Sequence, residues 1–248
     1  VEEEKEQKLL AYISEGDFQK EAVMDILAGL QGMVEIDFSH QSIEKENWNQ
    51  KWEENFDSVE VGDFCYVRAP FHAPKPNFKH QIVIEPKMSF GTGHHQTTQM
   101  MIEQMRELSL EGLNVLDMGS GTGILAILAK RMGAAKTLAI DIEDWAYENM
   151  KENFERNEVE VQADHGDASL LKDSKERYEL ILANINKNVL LADFAAYDQV
   201  LNANGYLILS GFFSSDVEDI LSAKELKDYR LLKQLEKENW ASLCLQKG

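Results

Sequence analysis

The 248-residue chain has only four prolines, two cysteines, a shortage of positive charge and no long apolar run. No stretch of about 18 apolar residues occurs, so no membrane span is expected. Cys65 and Cys244 are too few and too far apart for a disulfide framework or a zinc site, which makes a reducing cytoplasm the default compartment. Lys and Arg number 25 against 44 Asp and Glu, a net charge of −19. That balance argues against a broad grip on phosphate backbones, which needs clustered basic residues, so direct nucleic-acid binding is not expected. It suits a soluble enzyme or one with a basic partner, although solubility alone would also account for it. The opening Val1-Glu2-Glu3-Glu4-Lys5-Glu6 has neither the basic nor the apolar region of a signal peptide. No initiator methionine is present, as in a chain that begins inside a longer protein.

What is present is globular: 44% apolar and 28% charged residues. The excess acid is uneven. Residues 1–60 hold 16 acidic and 5 basic residues, a net of −11, and residues 61–248 hold 28 and 20, a net of −8. The front stretch predicts a short strand at 9–13, a helix capped by Asp17 and stopped at Gly32, and a strand at 34–38. It also predicts a helix over 44–56 whose Trp48, Trp52 and Phe56 form one packing stripe. So small a set reads as a partial α+β module lacking its beginning. Pro70, Pro74 and Pro76 mark residues 61–81 as a connector, because proline fixes φ and removes a donor.

From residue 82 strands and helices alternate. Strands are expected at 82–84, 114–118, 137–140, 159–163, 178–183 and 206–210, and helices at 96–108, 124–132, 144–157, 188–201 and 216–226. A closing hairpin is expected over 229–235 and 240–246. Strands apolar on both faces and alternating with helices predict a doubly wound, mostly parallel sheet.

The strongest local signal is Val115-Leu116-Asp117-Met118-Gly119-Ser120-Gly121-Thr122-Gly123, a buried strand running into a glycine turn that opens a helix. Such a loop lies at the carboxyl edge of a parallel sheet and lets a ligand approach the backbone. A dinucleotide loop would want glycine where Ile124 stands, and Asp117 would repel a pyrophosphate. The same acid can orient a loop around a cationic amino-acid ligand. Asp141 ends the next strand, 20 residues after Gly121, where a carboxylate can accept from both hydroxyls of a ribose, or else cap the following helix. Asp167 can accept from an adenine amino group or serve as an ordinary loop acid. Asn184 closes the fourth strand in Ala183-Asn184-Ile185-Asn186. Upstream, Phe90-Gly91-Thr92-Gly93-His94-His95-Gln96-Thr97-Thr98 is a glycine-rich loop leading into a helix, with Thr97 or Thr98 able to cap it. It is no Walker loop, and adjacent His94 and His95 cannot chelate as an i, i+4 pair does, so no metal site is expected.

The glycine loop form, Asp-x-Gly-x-Gly-x-Gly, resembles motif I of the class I S-adenosylmethionine-dependent methyltransferases. Taken with Phe90–Thr98, Asp141 and Ala183-Asn184-Ile185, it resembles the ribosomal protein L-eleven methyltransferase family (PrmA-type). The resemblance runs from about Asn47 to Trp240. It implies a seven-stranded Rossmann-like sheet over 82–248, a linker over 61–81 and a truncated ferredoxin-like substrate-recognition domain over 1–60. It implies S-adenosylmethionine as cofactor, held by Phe90, Gly91, Thr98, Gly119, Gly121, Gly123, Asp141, Asp167 and Asn184. Asn184 would also orient the acceptor amine. The family pattern carries leucine where Asn186 stands, which bears on the acceptor pocket. The implied activity is methylation of lysine ε-amines or the N-terminal α-amine of a basic ribosomal protein, docked partly by the front domain. A lysine methyltransferase of another protein and a nucleotide-binding module without methyl transfer stand as alternatives.

Overall fold

The structure is a computed structural model that describes residues 11, 13, 15–30, 37–40, 57–85, 93 and 95–248. The chain divides into two compact units, Val1–Glu54 and Asn55–Gly248. In the first, a 3-10 turn at Glu15–Asp17 precedes helix α1, Lys20–Leu30. His40 stacks near Phe38 and Phe18, with ring centroids 5.9 and 5.2 Å away. The expected helix over 44–56 and residues 34–36 of the expected strand lie outside the described residues, as does most of the strand at 9–13.

The second unit opens with strands at both ends of the stretch expected as a connector: β1 (Val59–Val61), β2 (Cys65–Arg68) and β3 (His80–Val83) form a three-stranded sheet in the order β1-β2-β3. β1 and β2 pair antiparallel, β2 and β3 parallel. The three prolines occupy the 69–79 crossover, where no ladder donor is needed. Val59, Val61, Val67, Ile82 and Ile84 are buried in one cluster with Met101, Ile127, Met150 and Phe154. The contact division therefore falls between Glu54 and Asn55, ahead of the expected boundary at residue 60. Cys65 is fully buried here, and that burial pushes its thiol up to about 12, leaving it inert.

The main sheet has seven strands: β4 (Asn114–Met118), β5 (Lys136–Asp141), β6 (Gln162–His165), β7 (Tyr178–Asn184), β8 (Leu201–Phe213), β9 (Tyr229–Lys237) and β10 (Trp240–Lys247). Their order is β6-β5-β4-β7-β8-β10-β9, with β10 antiparallel to both neighbours and β4 to β8 parallel. The central strands are buried on both faces because helices cover both. On one side lie α2 (Gln96–Arg106), α3 (Ile124–Arg131) and α4 (Asp144–Arg156). On the other lie α5 (Lys187–Val200) and the short α6 (Val217–Leu221). The doubly wound sheet is thus as expected.

Two local expectations change. The strand expected at 159–163 begins only at Gln162, since Val159 N–H still closes on Phe154 O and Glu158 turns with φ +54°. The helix expected over 216–226 breaks into 3-10 turns at Ser214–Asp216 and Lys224–Leu226 around α6. The hairpin of β9 and β10 closes on Glu238 and Asn239, both at positive φ (+50° and +68°), as a two-residue turn compatible with the sheet's twist requires.

Candidate functional site

β4 has β5 on one flank and β7 on the other, so the winding direction reverses at the β4–β7 boundary. Ligands of open α/β sheets sit at the carboxyl edge of such a switch point. Three of the sequence candidates converge there: the glycine turn after β4, Asp141 at the end of β5 and Asn184 at the end of β7.

The turn after β4 is held from beneath. Asp117 is 1% exposed, and its Oδ2 accepts from Ser120 Oγ at 2.7 Å and from Ala126 N–H at 3.1 Å. It thereby caps the first turn of α3 from outside the helix. Burial raises its carboxyl to about 7, opposed by those two hydrogen bonds and reinforced by the nearby Asp141 charge. Gly119, Gly121 and Gly123 all have positive φ. Gly119 also has no room for a side chain: a Cβ there would lie 2.1 Å from Ile185 Cγ2.

Asp141 is 8% exposed. Its Oδ2 accepts from Gly121 N–H at 2.8 Å and its Oδ1 from Glu143 N–H at 3.0 Å. Glu143, not Asp141, is the N-cap of α4. A carboxylate offers about four acceptor sites, so two remain for a ligand's hydroxyls. Asp167 is exposed and caps the 3-10 turn Ala168–Leu171, its Oδ1 accepting from Ser169 N–H at 2.8 Å. The Ser169 hydroxyl first, and then that backbone hydrogen bond, hold its carboxyl below the ordinary range.

Asn184 Nδ2 donates to Thr98 Oγ1 at 3.3 Å, linking the end of β7 to the first turn of α2. Its Oδ1 is buried without a hydrogen-bond partner. An orphaned amide oxygen costs about 1–3 kcal/mol in a dry site and marks a place where a donor belongs. Thr98 is 1% exposed, inside α2 and not at its cap. The cap is His95, whose Nδ1 accepts from Thr97 N–H at 3.3 Å. Gly93, ahead of it, accepts from Gln99 Nε2 and lies against Val67 of β2. Phe90 and Gly91 lie outside the described residues. Asn186 is the N-cap of α5, its Oδ1 accepting from Val189 N–H, an exposed structural role. Among the described residues, no three His, Cys, Asp or Glu side chains gather as a metal site would require.

Two parts of the site were not legible in the sequence. Gly211 (φ +93°) packs on the backbone of Ile185, where a Cβ would sit 2.5 Å from Ile185 O. Ile185 is therefore clamped between Gly119 and Gly211, which sets the chain after Asn184. Along α4 and at its C-cap, Asn149, Asn153 and Asn157 recur every fourth residue and are all buried. Asn157 exchanges two hydrogen bonds with Val83 of β3. Asn153 accepts from Glu85 N–H and donates to Thr122 O in the glycine turn. The i, i+4, i+8 asparagines were the available signal, since a polar stripe of short amides is costly to bury without partners.

A family profile described as "Ribosomal protein L11 methyltransferase (PrmA)" matches residues 1–248. The ribosomal protein L11 methyltransferase of Porphyromonas gingivalis is 45% identical over 199 residues, spanning 79% of this chain and 68% of that protein. The protein of the same name from Phocaeicola vulgatus is 39% identical over 236 residues, 94% of this chain and 84% of that one. Among solved structures, a ribosomal protein L11 methylase from Lactobacillus delbrueckii subsp. bulgaricus superposes with a TM-score of 0.71 at 28% identity. It covers 77% of this chain and 99% of that one.

Proposed function

The chain belongs to the ribosomal protein L11 methyltransferase (PrmA) family, and on that footing we propose that it transfers methyl groups from S-adenosylmethionine to lysine ε-amines or the terminal α-amine of ribosomal protein L11. One observation carries the reading furthest: the unpartnered Asn184 Oδ1, held by Thr98 at the switch point beside the glycine turn and Asp141.

The residues fit S-adenosylmethionine. Asp141 keeps acceptor capacity for ribose hydroxyls, and Gly119, Gly121 and Gly123 bring bare backbone to the carboxyl edge. Thr98, with Phe90 and Gly91 from the preceding loop, would complete the cofactor side, and Asp167 would meet the base. The bound cofactor supplies a methyl already activated on a sulfonium. The chain's own task is to place a neutral amine in line with it and keep water away. Asn184 Oδ1 accepts one amine N–H and so aims the lone pair. A lysine amine with an ordinary pKa of about 10.4 loses its proton more readily as it is desolvated, so no strong base is required. Asp117 is turned into the loop and has no part in that step.

The net charge of −19 favours encounter with a basic ribosomal protein. The acidic front residues 1–60 would help to dock it, in the cytoplasm where ribosomal proteins are found. Among the described residues no helix is long and apolar enough to cross a membrane. The test is incubation with labelled S-adenosylmethionine and a mixture of ribosomal proteins. Label is expected in L11. Label in another protein alone would reassign the substrate, and no label in any protein would overturn the activity.

A further inference from the structure

Three consecutive residues of the glycine turn are pinned through their backbone. Ser120 N–H donates to Ile140 O at 3.1 Å and Gly121 N–H to Asp141 Oδ2 at 2.8 Å, both on β5. Thr122 O is held by α4 instead, accepting from Asn153 Nδ2 at 2.9 Å. Gly123 (φ +80°) lies against the same helix, where a Cβ would sit 2.5 Å from Phe154 Cε1 and 3.1 Å from Met150 Cβ. The second half of the turn therefore rests on α4.

The other end of the Asn153 amide grips a different segment. Its Oδ1 accepts from Glu85 N–H at 3.0 Å, just past the end of β3. The Glu85 carboxylate is held by Arg156, further along α4, at 2.7 Å. The amide has one orientation that satisfies its surroundings. Nδ2 faces two acceptors, Thr122 O and Asn149 Oδ1 (3.3 Å), while Oδ1 faces a backbone donor, so turning the amide over breaks all three bonds. Asn153 is 0% exposed, so it touches no ligand.

Burial explains why such an amide is paired, but not why an amide is there. Its helix neighbours Met150 and Phe154 belong to the apolar core, and an apolar residue would avoid the cost of desolvation. Asn157 shows the contrast. Both of its bonds to the small sheet go to Val83, so it staples α4 to β3 and nothing else. Asn153 bridges two separate segments, and one of them is the turn at the switch point.

We propose that Asn153 is a positioning residue for the cofactor: its amide ties Thr122 O of the glycine turn to Glu85 beyond β3 and so presets the turn for S-adenosylmethionine. A turn already in its bound shape costs less to order on binding. The residue therefore acts on cofactor affinity and not on the transfer step, where the cofactor is held equally in ground and transition states.

This inference rests on the S-adenosylmethionine reading and is tested separately from it. Wild type, Asn153→Ala, Asn153→Leu and Asn157→Ala are compared in three assays. These are calorimetric titration with S-adenosylmethionine, steady-state kinetics with ribosomal protein L11, and hydrogen–deuterium exchange of residues 117–123 without cofactor. Both Asn153 variants are expected to bind S-adenosylmethionine about tenfold more weakly, about the contribution of one neutral hydrogen bond, and to raise its KM alike while kcat stays within about twofold. Their turn amides exchange faster than those of wild type. Asn153→Leu nearly keeps the side-chain volume, so it carries the comparison if the alanine variant does not fold. Asn157→Ala should be as destabilised in urea as the Asn153 variants but lose only about twofold in cofactor affinity, whereas a merely structural stripe makes the two positions behave alike. Wild-type affinity and exchange in Asn153→Leu, or an equal loss of affinity in Asn157→Ala, overturns the positioning role alone while wild type still methylates L11. A wild type that binds no S-adenosylmethionine overturns the methyl-transfer reading and this inference with it.

Discussion

Asp117 gives a prediction whose sign can be worked through. Its carboxyl is fully buried and is raised by desolvation to about 7, while in the unfolded chain it returns to an ordinary value near 3.8. Between those limits the folded state holds a proton that the unfolded state has released. Stability from this group is therefore fully present below about pH 4 and is lost as pH rises towards about 7. An interval of about 3 pH units corresponds to up to about 4 kcal/mol, at about 1.4 kcal/mol per unit. In Asp117→Asn the amide oxygen can take the place of Oδ2, which alone accepts from both Ser120 and Ala126. The neutral amide also removes the repulsion from Asp141. Urea denaturation of both proteins at pH 5, 6, 7 and 8 would be compared. Any fixed cost of imperfect amide geometry appears at every pH and cancels in the comparison. The variant should gain on wild type by roughly 1 kcal/mol or more per unit across the window and then level off above about pH 7. A difference that stays flat from pH 5 to 8 would refute the argument.

Other consequences follow from the same geometry. Gly119→Ala forces a side chain onto φ +64° and into Ile185, which Gly211 prevents from retreating; it should cost about 2 kcal/mol or more in urea denaturation and weaken cofactor binding, and wild-type stability would contradict the clamp. Asn184→Ala should lower single-turnover methyl transfer about a hundredfold by freeing the amine's orientation, and an unchanged rate would remove Asn184 from the transfer step. Raising salt should slow productive encounter with the basic acceptor while leaving cofactor affinity nearly constant, and a rate insensitive to salt would dismiss electrostatic steering.

The strands that position the site were legible because they are buried on both faces, so their apolar runs end where the loops begin. β4 was expected at residues 114–118 and β7 at 178–183, within one residue of the structure. The glycine turn, Asp141 and Asn184 stood out for the same reason, as polar or glycine residues at abrupt ends of apolar strands. The β1–β3 sheet was hidden by prolines that weigh against regular structure, although here they fall only in the crossover between β2 and β3. His95 was missed as the cap of α2 because serine and threonine are the commoner acceptors, and Thr97 and Thr98 stood beside it. The docking of α4 by Asn153 and Asn157 depends on backbone groups about 30 and 70 residues away, which periodicity within one helix cannot show.

On the proposed reading, the carboxyl ends of β4, β5 and β7 form an S-adenosylmethionine site with Asp141 as the ribose acceptor, and the decisive experiment is calorimetric titration of S-adenosylmethionine into wild type and Asp141→Ala, with NAD as control ligand. Two lost hydrogen bonds to a charged acceptor are worth about 3 kcal/mol, so the variant should bind roughly a hundredfold more weakly, and wild type should ignore NAD. Equal affinity in the two proteins, or a preference for NAD, would contradict the account.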